Sequence, residues 1–250
     1  MFGRFSVSVA AALLALPFLA LVPALQPAAA ATGEQKLFVG LDLSGGIASG
    51  SSSTRDGGGV LPLFSGDGEV GNVHFDHTIG IGAHAGYRFN PSWSTFLRYR
   101  HVHGSVGFDA FYPSFRVASK FKGSANSDAV LGGLIHHHSL SPADSLQLSA
   151  GAGLAFNRLY DIVERDRDSG LFVADVASHS RTAFTADIGL GLQHAVAAGT
   201  TIGLDLSATY AGGFATGNSR RGNLGVTVIN PYGIDNVWRG NLGLSLRQTF

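Results

Sequence analysis

Across most of its length the chain alternates apolar and small or polar residues with a period of two, the signature of strands with one apolar face. In "KLFVGLDLSGG", Leu37, Val39, Leu41 and Leu43 oppose Phe38, Gly40, Asp42 and Ser44. "HTIGIGAHAGYRF" sets Ile79, Ile81, Ala83, Ala85, Tyr87 and Phe89 against glycines, His84 and Arg88. "WSTFLRYR" sets Trp93, Thr95, Leu97 and Tyr99 against Ser94, Phe96, Arg98 and Arg100. "DAVLGGLIHHHSL" is strand-like with an ambiguous phase. The pattern returns in "SLQLSAGAGLAFN", "TAFTADIGLGLQ", "TIGLDLSATY" and the closing "WRGNLGLSLRQTF". That makes eight strands. Short turns near 90–92, 141–144 and 197–199 alternate with long connections near 45–73, 105–127, 159–180 and 212–236.

Charge decides which face is dry. Outside the ambiguous fourth segment, the apolar face of these strands carries no Asp, Glu, Lys or Arg. The opposite face carries Asp42, Arg88, Arg98, Arg100, Asp187, Asp205, Arg239 and Arg247 among Gly, Ser, Thr, Asn and Gln. The 35 glycines are about twice the usual share and fall largely on this second face. Such a face is too small to clothe a soluble exterior, but it suits the narrow interior of a small barrel. The apolar side therefore faces lipid, and aromatics (Tyr87, Phe89, Trp93, Tyr99, Tyr210, Trp238, Phe250) gather near the strand ends. Unpaired backbone in hydrocarbon costs several kcal/mol per group, so the last strand is expected to pair with the first. The fold expected is all-β: an eight-stranded antiparallel up-and-down transmembrane β-barrel, with both termini beside the short turns.

The first 31 residues read as a cleaved signal peptide. Arg4 is followed by an apolar stretch from Phe5 to about Val22 and by Ala28–Ala31, which is the order of a secretory leader. Residues 32–250 then form the barrel. Removing Arg4 from the 17 basic residues leaves one fewer than the 17 acidic ones, a balance that argues against a nucleic-acid partner. With no cysteine, disulfides, thiolate metal sites and thiol nucleophiles are excluded.

The run "SAGAGLAFNRL", then "TAFTADIGLGLQ", "LDLSATY" and "NLGLSLRQTF" resembles the small opacity-type outer-membrane β-barrel proteins of Gram-negative bacteria. The resemblance covers roughly residues 36–250. It implies location in the outer membrane, contact with outer-membrane lipid and lipopolysaccharide, and insertion by the barrel-assembly machinery. Phe250, with Leu246 and Leu244, resembles the C-terminal assembly signal of that family; Gln248 departs from the aromatic or apolar residue usual there.

The inward Asp and Arg residues are expected to form a lumen network, with Asp42, Asp187 and Asp205 paired to Arg88, Arg98 and Arg247 as a plug. The same rings would line a narrow porin-like channel for small solutes, and the excess of Arg over Asp would favour anions. Imidazoles at His136 and His138, and at His74, His77, His101 and His103, suit zinc or copper in type, but no carboxylate completes a site except Asp144 across a turn. No metal or other cofactor is expected. A lipid A-modifying hydrolase would need a His-x-Ser pair with an acid. His103-Gly104-Ser105 and His137-His138-Ser139 are the two pairs; the first lacks an evident acid partner, and the second lies beside a short periplasmic turn, on the wrong leaflet for lipopolysaccharide. In the loop after strand five, Arg158, Arg165 and Arg167 could meet lipopolysaccharide phosphates. The reading that results is non-enzymatic: a structural and surface-interaction scaffold with a side-chain-filled lumen.

Overall fold

The computed structural model describes residues 36–56, 68–112, 116–223 and 225–250. The expected signal peptide, residues 1–31, lies outside the described residues, as do parts of the connections at 57–67 and 113–115.

Thirteen strands make up the described chain. They are β1 (Leu37–Ser51), β2 (Arg55–Asp56), β3 (Gly68–Phe75), β4 (Thr78–Asn90), β5 (Trp93–Tyr112), β6 (Val117–Ser139), β7 (Asp144–Asp166), β8 (Phe172–Val176), β9 (His179–Ala197), β10 (Thr200–Ala215), β11 (Ser219–Gly222), β12 (Gly225–Val228) and β13 (Gly233–Thr249). Eight of them (β1, β4, β5, β6, β7, β9, β10 and β13) pair antiparallel, each with its neighbour, and β13 pairs back onto β1. The ring is closed. Leu41 lies opposite Leu246 and Leu43 opposite Leu244. The seam is sealed at its end by Lys36 N–H donating to the Phe250 carbonyl at 2.9 Å and Phe250 N–H to the Leu37 carbonyl at 2.8 Å. A terminal strand held on both edges by backbone bonds cannot fray, which explains the strict alternation of the tail.

The leucine face points outward. Leu204 is 51 % and Leu244 62 % exposed, with Leu43, Leu97, Leu134, Leu148 and Leu190 similarly bare. Tyr87, Phe89 and Trp93 ring the short-turn end, and Tyr99, Phe156, Phe184 and Trp238 the other, the two aromatic girdles of a membrane barrel. The phase of the fourth ring strand is settled: Leu131, Ile135 and His137 point inward, and Val130, Leu134 and His138 outward.

The segments expected as long connections carry strand structure of their own. β5 and β6 pair without a break from Trp93–His136 to Tyr112–Val117, so most of 105–127 is barrel wall. A 20-residue strand is about twice the 9–11 residues needed to cross hydrocarbon. β7 likewise runs to Asp166. β3 and β2 add onto β5, and β8, β11 and β12 add onto β7.

Beyond the outer girdle the chemistry of the two faces exchanges while the strand phase does not. In β5 the inward positions read Ser94, Phe96, Arg98 and Arg100, and then Val102, Val106, Phe108 and Ala110. The outward ones change from Trp93, Leu97 and Tyr99 to His101 and His103. Water replaces lipid outside, so apolar groups move in. The extension is filled by a core of Val70, Val106, Phe108, Phe121, Leu159, Ile162, Phe214, Tyr232, Ile234 and Val237. Phe108 stacks on Phe121 at 4.8 Å, and Tyr232 packs on Phe121 at 5.0 Å.

Candidate functional site: the barrel lumen

Three layers fill the membrane-level lumen. Nearest the short turns, Phe38, Phe96 and Ile135 form an apolar cluster, with the Arg247 guanidinium 4.7 Å over the Phe38 ring and Arg98 4.8 Å over Phe96. These cation–π contacts join the cluster to the ionic layers above. Inner-face glycines make the room. A β-carbon on Gly86 would run into the Phe38 ring, and one on Gly133 would meet Phe96 and backbone. The small residues thus stand opposite large inward side chains of adjacent strands, which is how a narrow barrel is packed.

The second layer is Asp42 and Asp205. His84 Nδ1 lies 3.0 Å and Arg98 Nε 3.7 Å from Asp42 Oδ2. Asp205 has no arginine within ion-pair distance; it accepts from Ser245 Oγ at 2.6 Å and from Gln193 Nε2 at 3.4 Å. The third layer centres on Asp187. Arg98 Nη1 donates to its Oδ1 and Arg100 Nη1 to its Oδ2, each at 3.3 Å, and Thr209 Oγ1 donates to Oδ2 at 3.0 Å. Asn241 Nδ2 reaches Ser207 and Thr209 at 3.2 Å. A cavity of about 40 Å3 lies in this polar zone, room for about three waters.

All eight charged residues expected inside do point inward, but their pairing differs from expectation. Arg98 and Arg100 hold two of the three aspartates. Arg88 and Arg247 form no ion pair among the described residues, and Arg239 is buried with Nε and Nη2 unpartnered. Strand tilt is the reason: residues level in the sequence pattern end at different depths once the sheet closes, so partners were not readable from spacing. The structure also brings in His84, Gln193, Thr209, Asn241 and Ser245, which sequence reasoning passed over. Phe38 and Phe96 were legible as large residues on the glycine face; Ile135 was hidden by the ambiguous phase of its strand.

The histidines do not converge. His136 packs against Trp93 at 4.7 Å on the outside, while His137 Nε2 lies 2.8 Å from Ser94 Oγ inside. His101 Nδ1 is 2.8 Å from Asp128 Oδ1, and His103 Nδ1 2.7 Å from Asn126 Oδ1. Among the described residues no three His, Asp or Glu side chains form a metal-sized cluster. His103 thus meets an amide and the Tyr160 hydroxyl (3.3 Å) rather than an acid, and the Ser105 hydroxyl makes no hydrogen bond to it.

Asp144 turns out to brace the short turn between β6 and β7. Ser141 Oγ donates to its Oδ2 at 2.6 Å, and His194 Nδ1 is 2.8 Å from its Oδ1. These bonds, Ser141 first, hold its carboxyl below the ordinary 3.8. A depressed carboxyl stabilises the folded turn above that ordinary value and loses the contribution as pH falls through its folded value. A carboxyl NMR titration is expected to show Ser141→Ala moving Asp144 back up toward 3.8.

The sequence matches the family described as "Outer membrane protein beta-barrel domain" over residues 11–246. The chain belongs to that family. It is thus an outer-membrane β-barrel of the Gram-negative type, with no helix among the described residues. Among solved structures, it is similar to the outer membrane protein OprG of Pseudomonas aeruginosa at 12 % identity, over 85 % of this chain and 95 % of that one, with a TM-score of 0.51. It also matches Neisserial surface protein A at 18 % identity, over 86 % and 97 % of the two chains, TM-score 0.42. Ail, the attachment invasion locus protein of Yersinia pestis, matches at 16 % identity, over 87 % and 100 %, TM-score 0.40. Likeness at these identities is one of fold alone. No curated protein matches the chain.

Proposed function

We propose that this outer-membrane barrel is a non-enzymatic structural and surface-interaction scaffold, delivered by cleavage after Ala30 or Ala31 and inserted by the barrel-assembly machinery, which reads Phe250, Leu246 and Leu244. The supporting observation is that side chains occupy the lumen from the membrane level outward: the Phe38–Phe96–Ile135 cluster, the Asp42 and Asp187 networks, and the apolar core of the extension. A filled interior leaves the outer wall and the extracellular end to carry function.

Lipopolysaccharide is the partner this wall suits. Lys120 and Arg165 are cross-strand neighbours, Lys122 follows two residues on, and all three are exposed beyond the aromatic girdle. Arg158 lies 5.6 Å over the Tyr160 ring on the same side. Exposed cations of this kind are donors for the phosphates of lipopolysaccharide.

The alternative, a narrow anion-favouring channel, draws on the inward arginine excess. Planar-bilayer recording separates the two. Purified protein is expected to give no stable single-channel steps; defined steps with anion preference would replace the scaffold by the channel.

A further inference from the structure

The charge of the lumen is left open at its short-turn mouth. There the β4–β5 turn (Asn90, Pro91), the β9–β10 turn (Ala197, Gly199, Thr200) and the paired ends of β1 and β13 surround an open-sided cavity of about 410 Å3. That volume lies within the range of small-molecule sites. Two cations, Lys36 and Arg88, line it together with Thr201, and among the described residues no Asp or Glu side chain does; at the rim a Phe250 oxygen accepts the Lys36 N–H at 2.9 Å. Arg88 Nε is buried and Thr201 Oγ1 is buried, each without a hydrogen-bond partner among the described residues. Deeper in, Arg247 lies over Phe38 and lines the polar cavity of the lumen together with Asp42 and Asp205.

A half-buried guanidinium with no ion pair, as Arg88 has none among the described residues, is costly unless something else neutralises it. None of the lumen aspartates lies within ion-pair distance of Arg88. Asp187 is held by Arg98 and Arg100, Asp42 by His84 and Arg98, and Asp205 by Ser245 and Gln193. A planar guanidinium fork beside an ammonium and a free hydroxyl is a donor set for a phosphate group.

We propose that the short-turn mouth of the barrel, which opens to the periplasm, binds a phosphate group, with Arg88 and Lys36 supplying charge and Thr201 a hydroxyl donor. The group could reach it from a soluble phosphate compound or from a phospholipid headgroup of the inner leaflet. The site does not depend on the scaffold reading, because it uses none of the extracellular surface.

Arginine Nε–H resonances of the 15N-labelled barrel in a maltoside detergent, at constant ionic strength set with chloride, provide the test. One arm titrates inorganic phosphate and the other dihexanoyl-phosphatidylglycerol. A saturable shift of the Arg88 resonance is expected in at least one arm. Saturation by phosphate assigns a soluble ligand, and saturation by the lipid alone assigns a headgroup. Shifts of neighbouring resonances should vanish in Arg88→Gln, weaken about tenfold in affinity in Thr201→Val, and persist in Arg165→Gln on the outer wall. Heat-modifiable gel migration verifies that each variant is folded, and Thr201→Val carries the test if Arg88→Gln is not. No saturation in either arm, or undiminished binding in the folded Arg88→Gln and Thr201→Val variants, overturns the proposal. Glu34, two residues before Lys36 in the chain, is the nearest acid in sequence. A response seen only in Glu34→Gln would assign the cavity to the chain's own carboxylate and equally overturn it.

Discussion

Asp187→Ala is expected to destabilise the folded barrel by about 3–5 kcal/mol, the cost of stranding buried charges whose partner is gone. Asp187 is 2 % exposed and binds two guanidiniums and a threonine hydroxyl. Its removal leaves Arg100 with only Thr209, and Arg98 with the longer contact to Asp42 at 3.7 Å. Urea unfolding of the barrel in liposomes, read by tryptophan fluorescence and by gel mobility, measures the loss. Asp205→Ala serves as the comparison, since Asp205 binds no arginine directly and its loss should cost less. Equal effects from the two would mean that the Arg98–Asp187–Arg100 group has no special place in the lumen.

Leu206→Arg tests the other face. Leu206 lies midway along the lipid-facing row of β10, between Ile202 and Tyr210, and is 58 % exposed. Placing an arginine near the bilayer midplane costs about 2–4 kcal/mol in barrels of this kind, measurable by the same unfolding titration. Val226→Arg on β12 is its control. Val226 is just as bare at 64 %, but it stands in the extracellular extension, so the change there should stay within about 0.5 kcal/mol. The contrast matters more than either number. Exposure is the same at the two sites, and only the surrounding solvent differs.

The ring of eight strands and its inside-out polarity could be read from residues 37–44, 78–89 and 202–210, because a period-two pattern with charge on one face has few solutions. The extension could not be read in the same way. In 105–112 and 117–127 the inward residues become Val106, Phe108 and Phe121 while Lys120 and Lys122 turn outward. A reader looking for apolar-out strands meets the opposite chemistry there, and the glycines and polar residues between look like loop. The fourth ring strand was ambiguous for a related reason: Leu131, Gly132, Gly133, Leu134 and Ile135 put bulky and small residues on both faces. The membrane-level charges could be named from the alternation, whereas Glu164, buried in the extension and paired with Arg220, could not. Nor could the partners of the membrane-level charges, since Arg98 meets aspartates on β1 and β9, strands distant along the chain whose relative depth is fixed only when the barrel closes.

Sequence alone thus determined the strand number of the ring, the lipid-facing side and the closing role of the C-terminal strand, because each follows from short-range alternation and the ban on unpaired backbone in hydrocarbon. Tertiary structure alone decided which charges neutralise one another, that Arg88 has no ion pair among the described residues, and how far the wall continues past the membrane. Those outcomes depend on strand stagger and on which solvent meets each level of the wall, and neither is written in the spacing of residues along one strand.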